Sequence, residues 1–206
     1  ESLEVEAVHR TALLELLAHY EAENPEEADC AERIRYLIER NRDCFERSCL
    51  KGHITASCWI LSPDYRSFLL THHRKLGRWL QLGGHADGDT DVVRVALREA
   101  REESGLNELI CLSADGQEWK PSAQPLPLDI DVHRIPERGT EPEHEHHDIR
   151  FLLLAGPKQT IHMSEESKAL DWFELKDLPS LGVDRSLLRL ADKTQRAIES
   201  GFLPSA

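Results

Sequence analysis

A glycine-rich stretch, Gly83-Gly84-His85-Ala86-Asp87-Gly88, runs into a segment of helical periodicity that closes on Glu99-Ala100-Arg101-Glu102-Glu103-Ser104-Gly105. A helix is predicted from about Thr90 to Ser104, stopped by Gly105, which suits the left-handed cap position. At about 100° per residue, Glu99 lies ~40° from Glu103 and ~60° from Glu102, so three carboxylates share one arc. Val93, Ala96, Leu97 and Ala100 occupy the adjoining arc, which is expected to face the core and to leave the carboxylates at its edge. A solvated acidic face is the ordinary meaning of such a pattern. Here Glu99 and Glu103 form a like-charge i,i+4 pair costing ~0.2–0.5 kcal/mol, and Arg94, Arg98 and Arg101 fall on the far side of the wheel. A hard divalent cation, Mg²⁺ or Mn²⁺, would relieve that repulsion, because such ions take oxygen ligands and keep positions open for substrate.

The run from Gly84 to Leu106 resembles the Nudix signature, G-x5-E-x7-R-E-U-x-E-E-x-G-U with U a bulky aliphatic residue. It matches at Gly84, Arg98, Glu99, Glu102, Glu103, Gly105 and Leu106. Thr90 stands where the first glutamate is expected and Ala100 where the aliphatic is; Asp89, one residue away from Thr90, is the expected substitute. The resemblance implies an α/β/α sandwich with a mixed sheet, and Mg²⁺- or Mn²⁺-dependent hydrolysis of a diphosphate linked to another group, often a nucleoside. It places Glu99, Glu102 and Glu103 on the metal. The general base is then Glu103 or a glutamate of the loop Ser164-Glu165-Glu166-Ser167, Glu166 being the candidate. Arg98, on the opposite side of the helix, is expected to anchor Asp87 or Asp89. Phosphoanhydride hydrolysis needs charge neutralised on the phosphate oxygens and a positioned water, and carboxylate-bound metal supplies both.

Around this motif the chain reads as three parts. Residues 1–50 form a helical hairpin: apolar positions at three-and-four spacing from Val5 and Val8 to Tyr20, then Asn24-Pro25-Glu26-Glu27 as a start signal for a second helix with Ile34, Leu37, Ile38 and Phe45 on one stripe. That stripe either covers the sheet or meets a second copy in a homodimer. Residues 51–180 form the α/β catalytic domain, with a β-hairpin from His53 to Leu61 and Ser67 to His72, and strands near 109–112, 128–135, 147–155 and 169–174. Residues 181–206 give a last helix, capped by Asp184 and packed on the domain. With 25 basic and 38 acidic residues in 206, the formal charge is −13. Such a surface repels nucleic-acid polymers and anionic membrane, and favours small phosphates met through a cation. Five cysteines without a C-x-x-C pair suggest reduced thiols in a cytoplasm.

A second constellation is rich in histidine. Asp129, Asp131 and His133 share one face of a strand, as do His144, His146 and Asp148; paired as a hairpin they gather acids and imidazoles that suit substrate contact or a second, borderline metal. A polar, solvated sheet face is the alternative. His72-His73-Arg74-Lys75 and Arg78 form the concentrated basic stretch, which suits either an ordinary charged turn or a place where a substrate phosphate meets Arg74 and Arg78 beside Gly84 and His85. Trp79 and Trp172 suit either base stacking or the core. Two other readings stand beside the hydrolase. One is a non-catalytic Nudix domain that binds a nucleotide. The other is an enzyme like isopentenyl diphosphate isomerase, a Nudix relative whose metal-binding histidines and glutamates are similar in part to His53, His85 and Glu143-His144-Glu145. Against it, Gly83 stands where that relative has its catalytic cysteine.

Overall fold

The structure, a computed structural model, describes residues 2–115, 118–121 and 125–199, with side chains for 10–113 and 125–199. Helix α1 (Ser2–Glu23) buries Leu13, Leu17 and Tyr20; Val5 and Val8 lie outside the described side chains. A 3₁₀ turn at Pro25–Glu27 precedes α2 (Ala28–Arg40), which buries Ala31, Ile34, Leu37 and Ile38. Asn24 does not cap the second helix as expected. Its side-chain amide donates to the Tyr20 carbonyl at 2.9 Å and closes α1 instead. Phe45 is buried, but beyond the helix, which ends where Asn41 turns extended and its amide donates to the Leu37 carbonyl at 3.0 Å.

Among the described residues nine strands follow: β1 (His53–Leu61), β2 (Ser67–His73), β3 (Trp79–Leu80), β4 (Leu82–His85), β5 (Leu109–Asp115), β6 (Glu118–Pro121), β7 (Asp129–Ile135), β8 (His144–Ala155) and β9 (Ser167–Glu174). Helix α3 (Val92–Ser104) separates β4 from β5, and α4 (Arg185–Glu199) ends the described chain after a 3₁₀ segment at Leu175–Leu181. The sheet is mixed, in the order β3-β2-β1-β8-β5-β6, with β4 beside the first half of β1, β7 beside the first half of β8, and β9 on β2. Among the described strands β1 and β8 alone run parallel, from His53 beside His146 to Leu61 beside Leu154. Strands β3, β4 and β6 carry no alternating apolar pattern, so sequence reading did not find them.

Strand alternation sorts the core into two layers. Ile54, Ala56, Cys58 and Ile60 of β1, with Ile149, Phe151 and Leu153 of β8, pack in one cluster with α1, α2 and α3. Trp59, Leu61 and Leu152 face the other way, against Leu187, Leu190 and Ala191 of α4. This is the α/β/α sandwich, with the hairpin stripe packed in the core. Asp184 caps α4 as expected, accepting from the Leu187 amide at 3.0 Å. Lys193 of α4 reaches both Asp129, at 2.7 Å, and Glu27, tying the hairpin, the sheet and the last helix together. The α4-facing side of β1 and β8 is apolar only over its second half. Its first half presents His53, Thr55, Ser57, His146, Asp148 and Arg150, and there a cleft opens. No helix among the described residues is long and apolar enough to cross a membrane.

Candidate active site

Helix α3 begins at Asp91, whose carboxylate accepts from the Arg94 amide at 3.0 Å, and ends at Gly105 with φ 72°. Its buried positions are Val92, Val95, Ala96, Ala100, Glu103 and Ser104, while Val93 and Leu97 are only half buried. The helix is therefore rotated from the expected placement: Glu103 stands within the buried face, Glu99 beside it, and Glu102 is exposed. Two glycines cause the rotation. The Gly83 amide donates to Glu103 Oε2 at 3.1 Å, and a Cβ on Gly84 would stand 2.4 Å from Glu99 Oε2. Gly83 itself has φ 152°, and a Cβ there would lie 2.3 Å from Ser57 Cβ and 2.5 Å from Ser57 Cα. Gly83→Ala is expected to cost roughly 2–4 kcal/mol from clash and backbone strain together. A urea melt would check this; a midpoint equal to wild type would refute the close approach.

Burial pushes Glu103 up to about 8, helped by the charges of Glu99, Glu166 and Glu102 and opposed by the Gly83 amide. Burial also raises Glu99, offset by Arg98. Arg98 does not anchor Asp87 or Asp89. It reaches round the helix to donate to Glu99 Oε1 at 2.8 Å and to the His85 carbonyl at 2.8 Å, because its long side chain spans the arc that the wheel alone assigned to the far side. Asp87 is held by Arg47 at 2.5 and 2.7 Å. Asp89 is held by Arg94 at 2.7 and 2.5 Å and accepts from the Asp91 amide, so its carboxylate is engaged away from the glutamates rather than filling the place of Thr90. Glu103 thus has a single hydrogen bond among the described residues, from a neutral amide. A buried carboxylate without a counterion, beside a second only partly neutralised and a third in solvent, fits a hard cation.

The cleft has a volume of about 440 Å³. Gly84, His85, Glu103, Arg78, Asp131, His133 and His146 of the predicted residues line it; Glu99, Glu102, Arg98, Arg74, His144 and Glu166 do not. Arg74 is spent on the Glu165 and Ser167 carbonyls, both at 2.9 Å, so it fastens the 165–167 loop instead of offering a free fork to phosphate. Glu166 follows that loop close enough for its charge to act on Glu103 and His73. Arg134, which sequence reading missed, lines the cleft with Arg78. Trp79 packs edge-on against Phe173 at 4.7 Å, and Trp172 joins the core, so both serve packing.

The β7–β8 hairpin forms as expected, Asp131 opposite Asp148 and His133 opposite His146. Its acids are neither solvated nor free. Arg150, 2 % exposed, donates to Asp148 at 2.9 Å, Asp129 at 3.1 Å and Asp131 at 3.0 Å. Arg189 adds contacts of 2.8 Å to Asp129 and Asp131. Burial would raise the Asp131 carboxyl, but the His133 bond, Arg150 and Arg189 hold it well below the usual range. The imidazoles gather apart from these acids: donor nitrogens of His53, His85 and His146 lie within 4.8 Å of one another. Burial lowers His53 and His85 to about 4. Glu145 faces away from them, bound to Arg33 at 2.8 Å, and Glu143 pairs with Arg134, so the glutamates of the isomerase-like tripeptide do not join the cluster.

A family model described as "NUDIX domain" matches residues 51–192. A search of curated proteins finds no match. Among solved structures, a Nudix-family hydrolase from Clostridium perfringens superposes with TM-score 0.54 at 22% identity, over 70% of this chain and 97% of that one. RenU, a Nudix hydrolase from M. smegmatis, gives 0.51 at 16% identity, over 75% and 91%. An Ap4A hydrolase from C. elegans gives 0.49 at 18% identity, over 72% and 98%. With the family model covering most of the chain, and the signature carried on a glycine strand packed against an acidic helix, the chain belongs to the Nudix family of hydrolases.

Proposed function

We propose that this chain is a metal-dependent pyrophosphohydrolase that cleaves a phosphoanhydride in a nucleoside diphosphate-linked or related small molecule. The observation that carries it is Glu103, a buried carboxylate in the cleft with no cationic partner among the described residues, packed beside Glu99 under a strand that has no side chains in the way. Glu99, Glu102 and Glu103 would hold Mg²⁺ or Mn²⁺, which when bound neutralises phosphate oxygens and activates water. The chain's own residues do the rest. Arg98 fixes the Glu99 rotamer, and Gly83 and Gly84 let Ser57 and the α3 glutamates close against the strand. Arg78, 3.5 Å from Asp184, and Arg134, paired with Glu143, line the cleft, where a phosphate would displace those carboxylates, and Glu166, whose charge acts on Glu103, would accept the proton. A small phosphorylated substrate suits a cleft of this size better than a polymer, which the net charge of −13 repels. The five free thiols suit the cytoplasm.

A substrate panel tests this: nucleoside diphosphate-linked compounds, dinucleoside polyphosphates and nucleoside triphosphates with Mg²⁺ or Mn²⁺, products followed by chromatography. Wild type is expected to turn over at least one class. Glu102→Gln, an exposed change that spares the fold, is expected to lower kcat/KM at least ~100-fold. Turnover of none of them, or full activity in Glu102→Gln, would sink the assignment; turnover of isopentenyl diphosphate instead would favour the isomerase.

A further inference from the structure

We infer that His53, His85 and His146, with His144 as a fourth donor, form a transition-metal site of the zinc class in the cleft wall, separate from the glutamates of α3. The strand register builds it. Parallel pairing sets His53 beside His146, and antiparallel pairing of β1 with β4 brings His85 opposite Thr55, on the same side of β1 as His53. The three rings form a nearly equilateral triangle, with centroids 5.0, 4.8 and 4.9 Å apart.

His53 points to a ligand most directly. It is 2 % exposed, and among the described residues neither ring nitrogen completes a hydrogen bond, the Cys49 backbone acting on the ring without closing one. An unsatisfied buried polar group costs about 1–3 kcal/mol, which a bound metal would offset and an apolar side chain would avoid. His144 supplies a second, independent sign. Its Nδ1 donates to the Pro142 carbonyl at 2.8 Å, which leaves Nε2 as a lone pair, and that Nε2 is 3.3 Å from His146 Nε2. With Zn–N bonds of ~2.0–2.1 Å, the edge of a tetrahedron is about 3.3–3.4 Å. Two imidazoles therefore already stand at the spacing that one tetrahedral ion demands, one of them locked in the ligating tautomer by a carbonyl.

Donor chemistry separates this site from the glutamates. Four imidazoles favour Zn²⁺ and its neighbours over Mg²⁺, whereas carboxylates on α3 favour the harder ions. Of the hairpin's acids, Glu141 Oε1 lies 3.8 Å from His144 Nε2, while Asp131 and Asp148 are committed to Arg150. A bound ion would pin β1, β4 and β8 together. Because Arg98 holds both the His85 carbonyl and Glu99, it would also steady the turn leading into α3.

The test uses the full chain without an affinity tag, stripped with chelator and titrated with Zn²⁺ by calorimetry, with metal content measured after desalting. One retained equivalent is expected. It should persist in Glu102→Gln, Glu103→Gln and His162→Ala, the last lying outside the cluster. In His53→Gln and His146→Gln binding should weaken by more than the 10–100-fold that loss of an outer partner causes. Circular dichroism would verify the fold of each. Co²⁺-loaded wild type, which needs no variant, should show the intense visible bands of a tetrahedral nitrogen-ligated ion. Absence of a retained equivalent, weak octahedral Co²⁺ bands, undiminished binding in the folded histidine variants, or loss of Zn²⁺ in Glu103→Gln would each overturn the site. None of these readings depends on hydrolase activity.

Discussion

Glu103→Gln is expected to lower Mg²⁺-dependent turnover at least ~100-fold while leaving the metal-free protein as stable as wild type or more so. The two effects separate because the carboxylate is a liability to the fold and an asset to the site. Glutamine keeps the shape, and its carbonyl still accepts from the Gly83 amide, so packing under β4 is preserved. What it removes is a negative charge whose protonation is favoured by burial, from 4.5 up to about 8. The sign follows from proton counting. Between those two values the folded state binds more protons than the unfolded one, so this group's contribution to stability is greatest below about 4.5 and is lost as pH rises through about 8. Metal-free wild type should therefore fall below the glutamine variant in melting temperature toward alkaline pH and converge with it in acid. Saturating Mg²⁺ should restore wild type only, since it binds the folded carboxylate. Thermal melts across pH with and without metal, beside turnover assays, check all of this. A variant that keeps activity within a few-fold, or melts below wild type throughout, would remove Glu103 from the metal site.

The part of the site that lies within a few helical turns was legible in the sequence. Glu99, Glu102 and Glu103 share an arc because helical geometry is local, and Gly105 and Asp184 mark helix ends for equally local reasons. The rotation of α3 was not legible, since it depends on Gly83 meeting Glu103 and Gly84 meeting Glu99, contacts that cross the whole loop into the helix. Strand β4 escaped notice for the same cause: glycines carry no alternation, yet their missing side chains let the helix approach.

The β7–β8 hairpin could be read from its alternating acids and imidazoles, but its electrostatics could not. Asp129 and Asp131 acquire Arg189 from α4, whose position on them is set by how the last helix docks, 60 and 58 residues away in sequence. Residues that suggested metal ligands or a wet surface are instead a buried ion network. Conversely, His53 and His146 lie far apart in the chain and meet only because β1 and β8 pair in parallel. Long-range parallel pairing carries no local signature, so the sequence shows only part of the cluster that His53, His85 and His146 form.

That network carries the largest expected effect on stability. Arg150→Leu should cost about 3–5 kcal/mol, the usual penalty for removing one partner of a buried ion pair, and lower the melting temperature by roughly 10 °C for a chain of this size. The loss falls unevenly. Asp129 keeps Arg189 and Lys193, and Asp131 keeps Arg189 and His133. Asp148 is stranded: apart from Arg150 its partners among the described residues are the hydroxyls of Thr55, at 2.9 Å, and Ser57, at 2.7 Å. A second change, Asp148→Asn, should therefore cost little or even restore stability when made on Arg150→Leu, although alone it is destabilising, and this change of sign is the mark of direct coupling. Calorimetric melts of the two single variants and the double variant measure it. An Arg150→Leu protein melting within about 2 °C of wild type, or a double variant whose loss is the plain sum of the singles, would show that the network is not what holds this wall of the cleft. Thr55, Ser57, Asp131 and Asp148 all line that wall. Activity at a temperature where Arg150→Leu remains folded should fall as well, because the surface facing the substrate is positioned by the same guanidinium that stabilises the fold.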